Sequence, residues 1–178
     1  MKVIFLDIDG VLITPESIYK SKKHYLETGE EVSALDEERV AIIKNIVDRT
    51  DAKIVLSSTY KLHFKKNENN EVIATSYTTK LMENIFAKYS LKIYDLTPND
   101  YYRRRYKEIS LYLESHTIDS FLIIDDEGKE LSEVFPDNFI KIKTPYDYDN
   151  PGTEEIGLKP YHIKEAIKIL SKKNTHFK

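Results

Sequence analysis

Val3-Ile4-Phe5-Leu6-Asp7-Ile8-Asp9-Gly10-Val11 is the stretch on which the reading of this chain turns. The run from Lys2 to Asp7 is apolar without polar alternation, the pattern of a short strand buried on both faces. It ends in two aspartates spaced two apart, which face the same way if the chain stays extended. Two later runs repeat the arrangement. Ala52 to Leu56 is followed at once by Ser57-Ser58-Thr59, and Phe121 to Ile124 by Asp125-Asp126.

Helical spacing fills the intervals. Leu35 to Arg49 reads as a helix, with Ser33 as its cap and Asp36, Glu37 and Glu38 in its first turn. Leu35, Ile42, Ile43 and Ile46 keep the stripe, and Arg39 is the flaw in it. Ser76 to Tyr89 and Arg105 to Ser115 read as two more helices, Lys129 to Phe135 as a short one, and Pro160 to Leu170 as the last. Leu91 to Tyr94 and Phe139 to Lys143 read as further short strands. Residues 10–31, with Pro15 and Gly29, read as an irregular loop or flap with room for a small hairpin or one helical turn. Residues 61–75, centred on Asn67-Glu68-Asn69-Asn70, read as a turn or a mobile excursion. Residues 144–157 read as a loop rich in Pro, Gly, Asp and Tyr.

Strands alternating with helices predict a mostly parallel sheet with right-handed crossovers and helices on both faces, a three-layer α/β/α domain spanning residues 1–178. In such sheets ligands bind beyond the carboxyl ends of the strands. Three strands bring Asp7 and Asp9, Ser57 and Ser58, and Asp125 and Asp126 to that one edge.

Composition narrows the chemistry. The 178 residues include no cysteine, which excludes disulfides, thiolate catalysis and cysteine-zinc sites and fits a cytoplasmic location. The apolar start before Asp7 is too short for a signal peptide or a membrane span. Hydrophobic residues make up 40% and charged residues 32%, the balance of a globular chain. With 27 basic and 30 acidic residues the net charge is −3, so a general electrostatic grip on nucleic acid is not supported.

Carboxylates crowded at one edge repel each other, and a hard divalent cation with oxygen ligands relieves the repulsion. Magnesium is therefore the expected cofactor, held by Asp7, Asp9, Asp125 and Asp126. Beside such a cation one carboxylate can attack phosphorus and another can protonate the leaving oxygen and later activate water. Asp7, which ends the strand, is the nucleophile candidate, and Asp9, where the chain turns, the acid/base candidate. Ser57 can donate a hydrogen bond to a phosphoryl oxygen, with Gly10 and Ser58 beside the phosphate. The run Arg103-Arg104-Arg105-Tyr106-Lys107 supplies cations for charge developing on the phosphate.

Asp7-Ile8-Asp9-Gly10-Val11 resembles the first motif of the haloacid dehalogenase (HAD) superfamily of phosphatases. Ser57 after its strand resembles the second motif, and Asp125-Asp126 the acidic fourth. The chain is similar, more narrowly, to the HAD domains grouped with Swiss Army Knife RNA repair proteins. Leu56-Ser57-Ser58-Thr59-Tyr60-Lys61, Thr97-Pro98, Arg105-Tyr106-Lys107-Glu108-Ile109 and Gly157-Leu158 carry that likeness. It departs from that group at Tyr60-Lys61, where the family has Trp-Arg, and at Tyr106, where the family has Gly. The resemblance implies a Rossmann-like fold, an aspartyl-phosphate on Asp7, acid/base work by Asp9 with its carbonyl on the metal, and phosphate held by Ser57. It implies Arg105 as the third-motif cation, with Lys107 its rival.

The gaps after the first and second motifs are too small for a large cap, so a minimal cap or none is expected. An open site suits a phosphorylated substrate as bulky as a nucleotide or polynucleotide end, and Tyr101, Tyr102, Arg103 and Arg104 are candidates for stacking on a base and contacting phosphates. Two alternatives stand beside this reading. One is a phosphatase for a small metabolite or phosphoprotein, the other a phosphate-binding module without turnover.

Overall fold

A computed structural model describes residues 1–100, 102, 104–145 and 156–172. Its centre is a parallel sheet of five strands, β1 (Lys2–Leu6), β2 (Lys53–Leu56), β5 (Ile93–Leu96), β6 (Ser120–Asp125) and β7 (Phe139–Lys141), in the order β5-β2-β1-β6-β7. The apolar runs are continuous because both faces are covered. Alternate side chains divide between two cores. Ile4, Leu6, Ile54, Leu56, Leu122 and Ile124 pack under α2 (Glu37–Thr50), α3 (Tyr77–Lys88) and α6 (His162–Leu170). Val3, Phe5, Val55, Phe121 and Ile123 pack under α4 (Arg105–Ser115) and α5 (Lys129–Val134), through Ile109, Tyr112, Leu113 and Leu131.

From β1 the chain proceeds outward to β2 and β5, then crosses to β6 on the other side of β1 and outward again to β7. The crossovers diverge between β1 and β6, which opens a crevice at the carboxyl ends of those two strands. Register aligns what lies there. Leu6 pairs with Leu56 and Ile124, and Leu56 with Leu96, so Thr97, Ser57, Asp7 and Asp125 form one row across four strands.

Several expected elements change. Residues 10–31 are not an irregular loop, for Pro15–Thr28 form a helix, α1. The two residues that suggested irregularity are its start and stop. Pro15 occupies the first turn, behind a Thr14–Ser17 capping box, and Gly29 closes the helix at φ 75°. The cap of α2 is Asp36, which accepts from the Glu38 N–H at 3.0 Å, while Ser33 accepts from the Leu35 N–H upstream of it. Arg39, the flaw in the stripe, is buried and paired with Asp36, and donates to the Ile156 carbonyl at 3.0 Å.

Residues 61–75 are ordered too. A 3₁₀ turn, Thr59–His63, leads into a hairpin of β3 (Phe64–Lys66) and β4 (Val72–Ala74). The His63 carbonyl anchors it by accepting from the Thr75 N–H and the Thr79 hydroxyl. β5 begins at Ile93 rather than Leu91, β7 ends at Lys141, and α6 begins at His162 rather than Pro160. No described helix is long and apolar enough to cross a membrane.

Candidate active site

Asp7, Ser57 and Thr97 each stand one residue past a strand, where the backbone ladder still holds them. The Asp7 N–H donates to the Ile124 carbonyl, the Ser57 N–H to Leu6 and the Thr97 N–H to Leu56, all at 3.0 Å. Side chains alternate along a strand, so the row after Leu6, Leu56 and Ile124 turns to the face that α4 covers. Arg105, the first residue of α4, meets that row. Its Nη1 lies 3.1 Å from Asp7 Oδ1 and 2.8 Å from Asp125 Oδ2. Asp125 Oδ1 is occupied by the Glu127 N–H at 2.8 Å.

After Asp7 the chain curls instead of extending. The Ile8 carbonyl accepts from Val11, Leu12 and Ile13, and the Gly10 N–H donates back to Ile13. The curl leaves Asp9 exposed while Asp7 is buried. Gly10 sits at φ +70°, and a Cβ there would stand 2.2 Å from Asp126 Oδ2. The tight turn thus requires glycine and lets Asp126 close on the first motif.

Oxygens of Asp7, Asp125 and Asp126 lie within 4.8 Å of one another. Burial, with the Asp7 charge adding to it, pushes the Asp125 carboxyl well above the usual range. Burial, then Asp7 and Glu127, pushes Asp126 up to about 7. Burial and Asp7 also raise Asp9. Burial alone would lower Arg105, but Asp7 and Asp125 outweigh it and raise that group, so it stays charged. Three carboxylates at this spacing, with Arg105 on only two of them, fit a magnesium ion, which takes oxygen ligands and completes its shell with water.

These shifts predict a pH effect. Asp125 and Asp126 hold protons in the folded chain that the unfolded chain, near 3.8, has released. Their contribution to stability therefore falls as pH rises from about 4 through 7. Thermal unfolding in EDTA should show it, and saturating Mg²⁺ should raise the melting temperature more at pH 8 than at pH 5. An equal increment at both pH values would contradict the assignment of these carboxylates.

Ser57 is fully buried, and its Oγ finds no hydrogen-bond partner among the described residues. Ser58 is buried and caps the 3₁₀ turn, accepting from the Tyr60 N–H at 3.4 Å. Lys107, the rival to Arg105, is half-buried and makes no ion pair among the described residues. Arg104 is tied to Asp100 Oδ2 at 3.0 Å and lies 4.8 Å over the Tyr102 ring. Tyr101 and Arg103 fall outside the described residues.

Lys61, Glu108 and Asp100, which strand and helix spacing do not mark, also meet beside the site. Lys61 Nζ pairs with Glu108 Oε2 at 2.6 Å and donates to Thr97 Oγ1 and the Pro98 carbonyl, both at 3.0 Å. Lys61 and Glu108 are buried. Glu108 also accepts from the Asp100 N–H at 3.2 Å. The signal was a carboxylate standing on the apolar face of a helix, beside Ile109 and Tyr112. Tyr60 packs on the core next to the acidic pair, and burial with Asp9 and Asp7 raises its phenol.

The profile of a family described as the HAD domain in Swiss Army Knife RNA repair proteins matches residues 3–146. No curated protein and no solved structure gives a match.

Proposed function

Because the chain belongs to the HAD-domain family of Swiss Army Knife RNA repair proteins, we propose that it is a magnesium-dependent phosphomonoesterase working through an aspartyl-phosphate on a nucleotide or polynucleotide end. One observation carries the reading: Asp7, Asp125 and Asp126 converge within 4.8 Å, with Arg105 on two of them. The orphaned Ser57 hydroxyl in the same row supports it.

Asp7, Asp125 and Asp126 would hold the metal, with the Asp9 carbonyl as a further ligand. A bound magnesium ion supplies positive charge between these carboxylates and an incoming phosphate. Asp7 attacks phosphorus with one carboxylate oxygen, and the bond from phosphorus to the leaving oxygen breaks. Asp9, whose pKa is raised by burial and the Asp7 charge, gives a proton to the leaving oxygen. Asp9 then takes a proton from water as the water oxygen attacks the phosphorus of the aspartyl-phosphate. Inorganic phosphate departs and the Asp7 carboxylate returns. Ser57 Oγ donates to a phosphoryl oxygen, and Arg105 offsets the charge that grows there.

The substrate is tested by a panel of 3′-phosphorylated and 5′-phosphorylated oligonucleotides, mononucleotides, sugar phosphates and phosphopeptides, scored by phosphate release with Mg²⁺. Nucleotide or polynucleotide ends are expected to lead in kcat/KM by about tenfold or more, since only they can use both the phosphate and the neighbouring surface. A lead for sugar phosphates or phosphopeptides would move the reading to a metabolite or protein phosphatase. Binding of phosphate esters with no turnover of any would move it to a non-catalytic module.

A further inference from the structure

Beside the carboxylate cluster, between the 3₁₀ turn and the start of α4, lies a cleft of about 200 Å³. Ser57 and Arg105 line it, as do Thr59, Lys61, Asn99, Asp100 and Glu108. The first two are the groups assigned above to the phosphate, so the cleft runs on from the phosphorus to whatever the phosphate is esterified to. Its volume is below the roughly 300–1,000 Å³ of sites that enclose a drug-sized ligand. The enclosed part has room for one sugar-sized group.

The polar groups decide what kind. Among the described residues Lys61 is the only cation in the lining besides Arg105, and all three of its ammonium donors are used, by Glu108, Thr97 and Pro98. Its charge is matched by Glu108. It has nothing left for a second phosphate, and the nearby carboxylates would repel one. Asp100 uses Oδ2 to accept from the Tyr102 N–H, the Arg104 N–H and the Arg104 side chain. Its Oδ1 has no hydrogen-bond partner among the described residues, and Arg104 holds the carboxyl below its ordinary range, so it is ionised. Asn99, exposed beside it, is likewise without a partner among the described residues. A carboxylate with a free oxygen is the group that reads ribose hydroxyls in nucleotide sites.

We propose that this cleft is the leaving-group subsite and that it takes a neutral, hydroxyl-bearing sugar, a terminal ribose, through Asp100 and Asn99. The inference rests on the phosphatase reading of Asp7, Ser57 and Arg105 and adds to it a preference for ribose over deoxyribose.

The test compares adenosine 3′-monophosphate with 2′-deoxyadenosine 3′-monophosphate in two ways. One is kcat/KM on the wild-type protein with Mg²⁺. The other is Kd by calorimetry on Asp7→Asn, which cannot turn the ligand over. Both should favour the ribonucleotide by about tenfold or more, the range for a hydrogen bond to a charged group. Asp100→Ala, which removes the acceptor altogether, should bring both ratios close to one. Should Asp100→Ala fail to fold, Asn99→Ala carries the same test and should lower both ratios about threefold.

A wild-type ratio within twofold of one overturns the proposal, and so does a ratio that survives the substitutions. If neither nucleotide nor p-nitrophenyl phosphate is hydrolysed, the phosphatase reading falls on that ground. The Kd ratio then decides the sugar subsite alone.

Discussion

Asp7→Asn is expected to lower magnesium-dependent phosphate release by at least about ten-thousandfold, the scale on which removal of a nucleophile acts. The amide has the shape of the carboxylate but not its nucleophilic oxygen, and it is a poorer metal ligand. Folding should survive. The backbone N–H of residue 7 keeps its bond to Ile124, and Arg105 keeps Asp125 at 2.8 Å. Single-turnover assays check the rate, and mass spectrometry of acid-quenched wild-type enzyme should find a phosphoryl adduct on the peptide holding Asp7. Activity within tenfold of the wild type would remove Asp7 from the nucleophile's role.

The largest expected effect on stability lies one layer away, at Lys61. Lys61→Met strands the Glu108 carboxylate, which is buried and bonded to the Asp100 N–H. Breaking a buried pair from one side costs about 3 kcal/mol at the lower end of its range, which applies here because the pair borders an open cleft. Lys61→Met with Glu108→Gln removes both charges and keeps an acceptor for Asp100, so it should recover at least half of the loss. Urea unfolding with equal slopes checks both. Additive losses, or a single-variant cost under about 1 kcal/mol, would show that the pair is not the tie between the 3₁₀ turn and α4. The tie has a functional side, since Ser57 stands four residues before Lys61 and Arg105 one helical turn before Glu108.

Much of the fold was legible because its signals are local. Continuous apolar runs announce buried parallel strands, and β1, β2 and β6 emerge close to where the runs place them. α4 spans Arg105–Ser115 as its spacing indicates. The errors were also local. Pro15 and Gly29 suggest irregularity in the sequence but are the two ends of a helix, and the return of the chain at Asn67–Asn70 belongs to a hairpin whose anchor, His63 to Thr75 and Thr79, is tertiary.

For the candidate site, the linear order pointed to Asp7, Asp9, Ser57, Asp125 and Asp126, because three buried strands each end in small polar or acidic residues and parallel sheets bind ligands at those ends. The spacing of Asp7 and Asp9 predicted a shared direction, and only the fold shows the curl at Ile8 that buries one and exposes the other. Arg105 against Lys107 was open in the sequence, where both lie in one basic run. The first turn of α4 brings Arg105 to Asp7 and Asp125, and Lys107 makes no such pair among the described residues.

The acidic strand end on which the reading began was thus determined by the chain itself, since burial and alternation act over a few residues. The row of Thr97, Ser57, Asp7 and Asp125, the welding of Lys61 to Glu108 and the placing of the Asp100 carboxylate in the cleft were decided only in three dimensions. Each depends on strand register and helix placement between residues tens of positions apart, and periodicity along the chain carries no information about those distances.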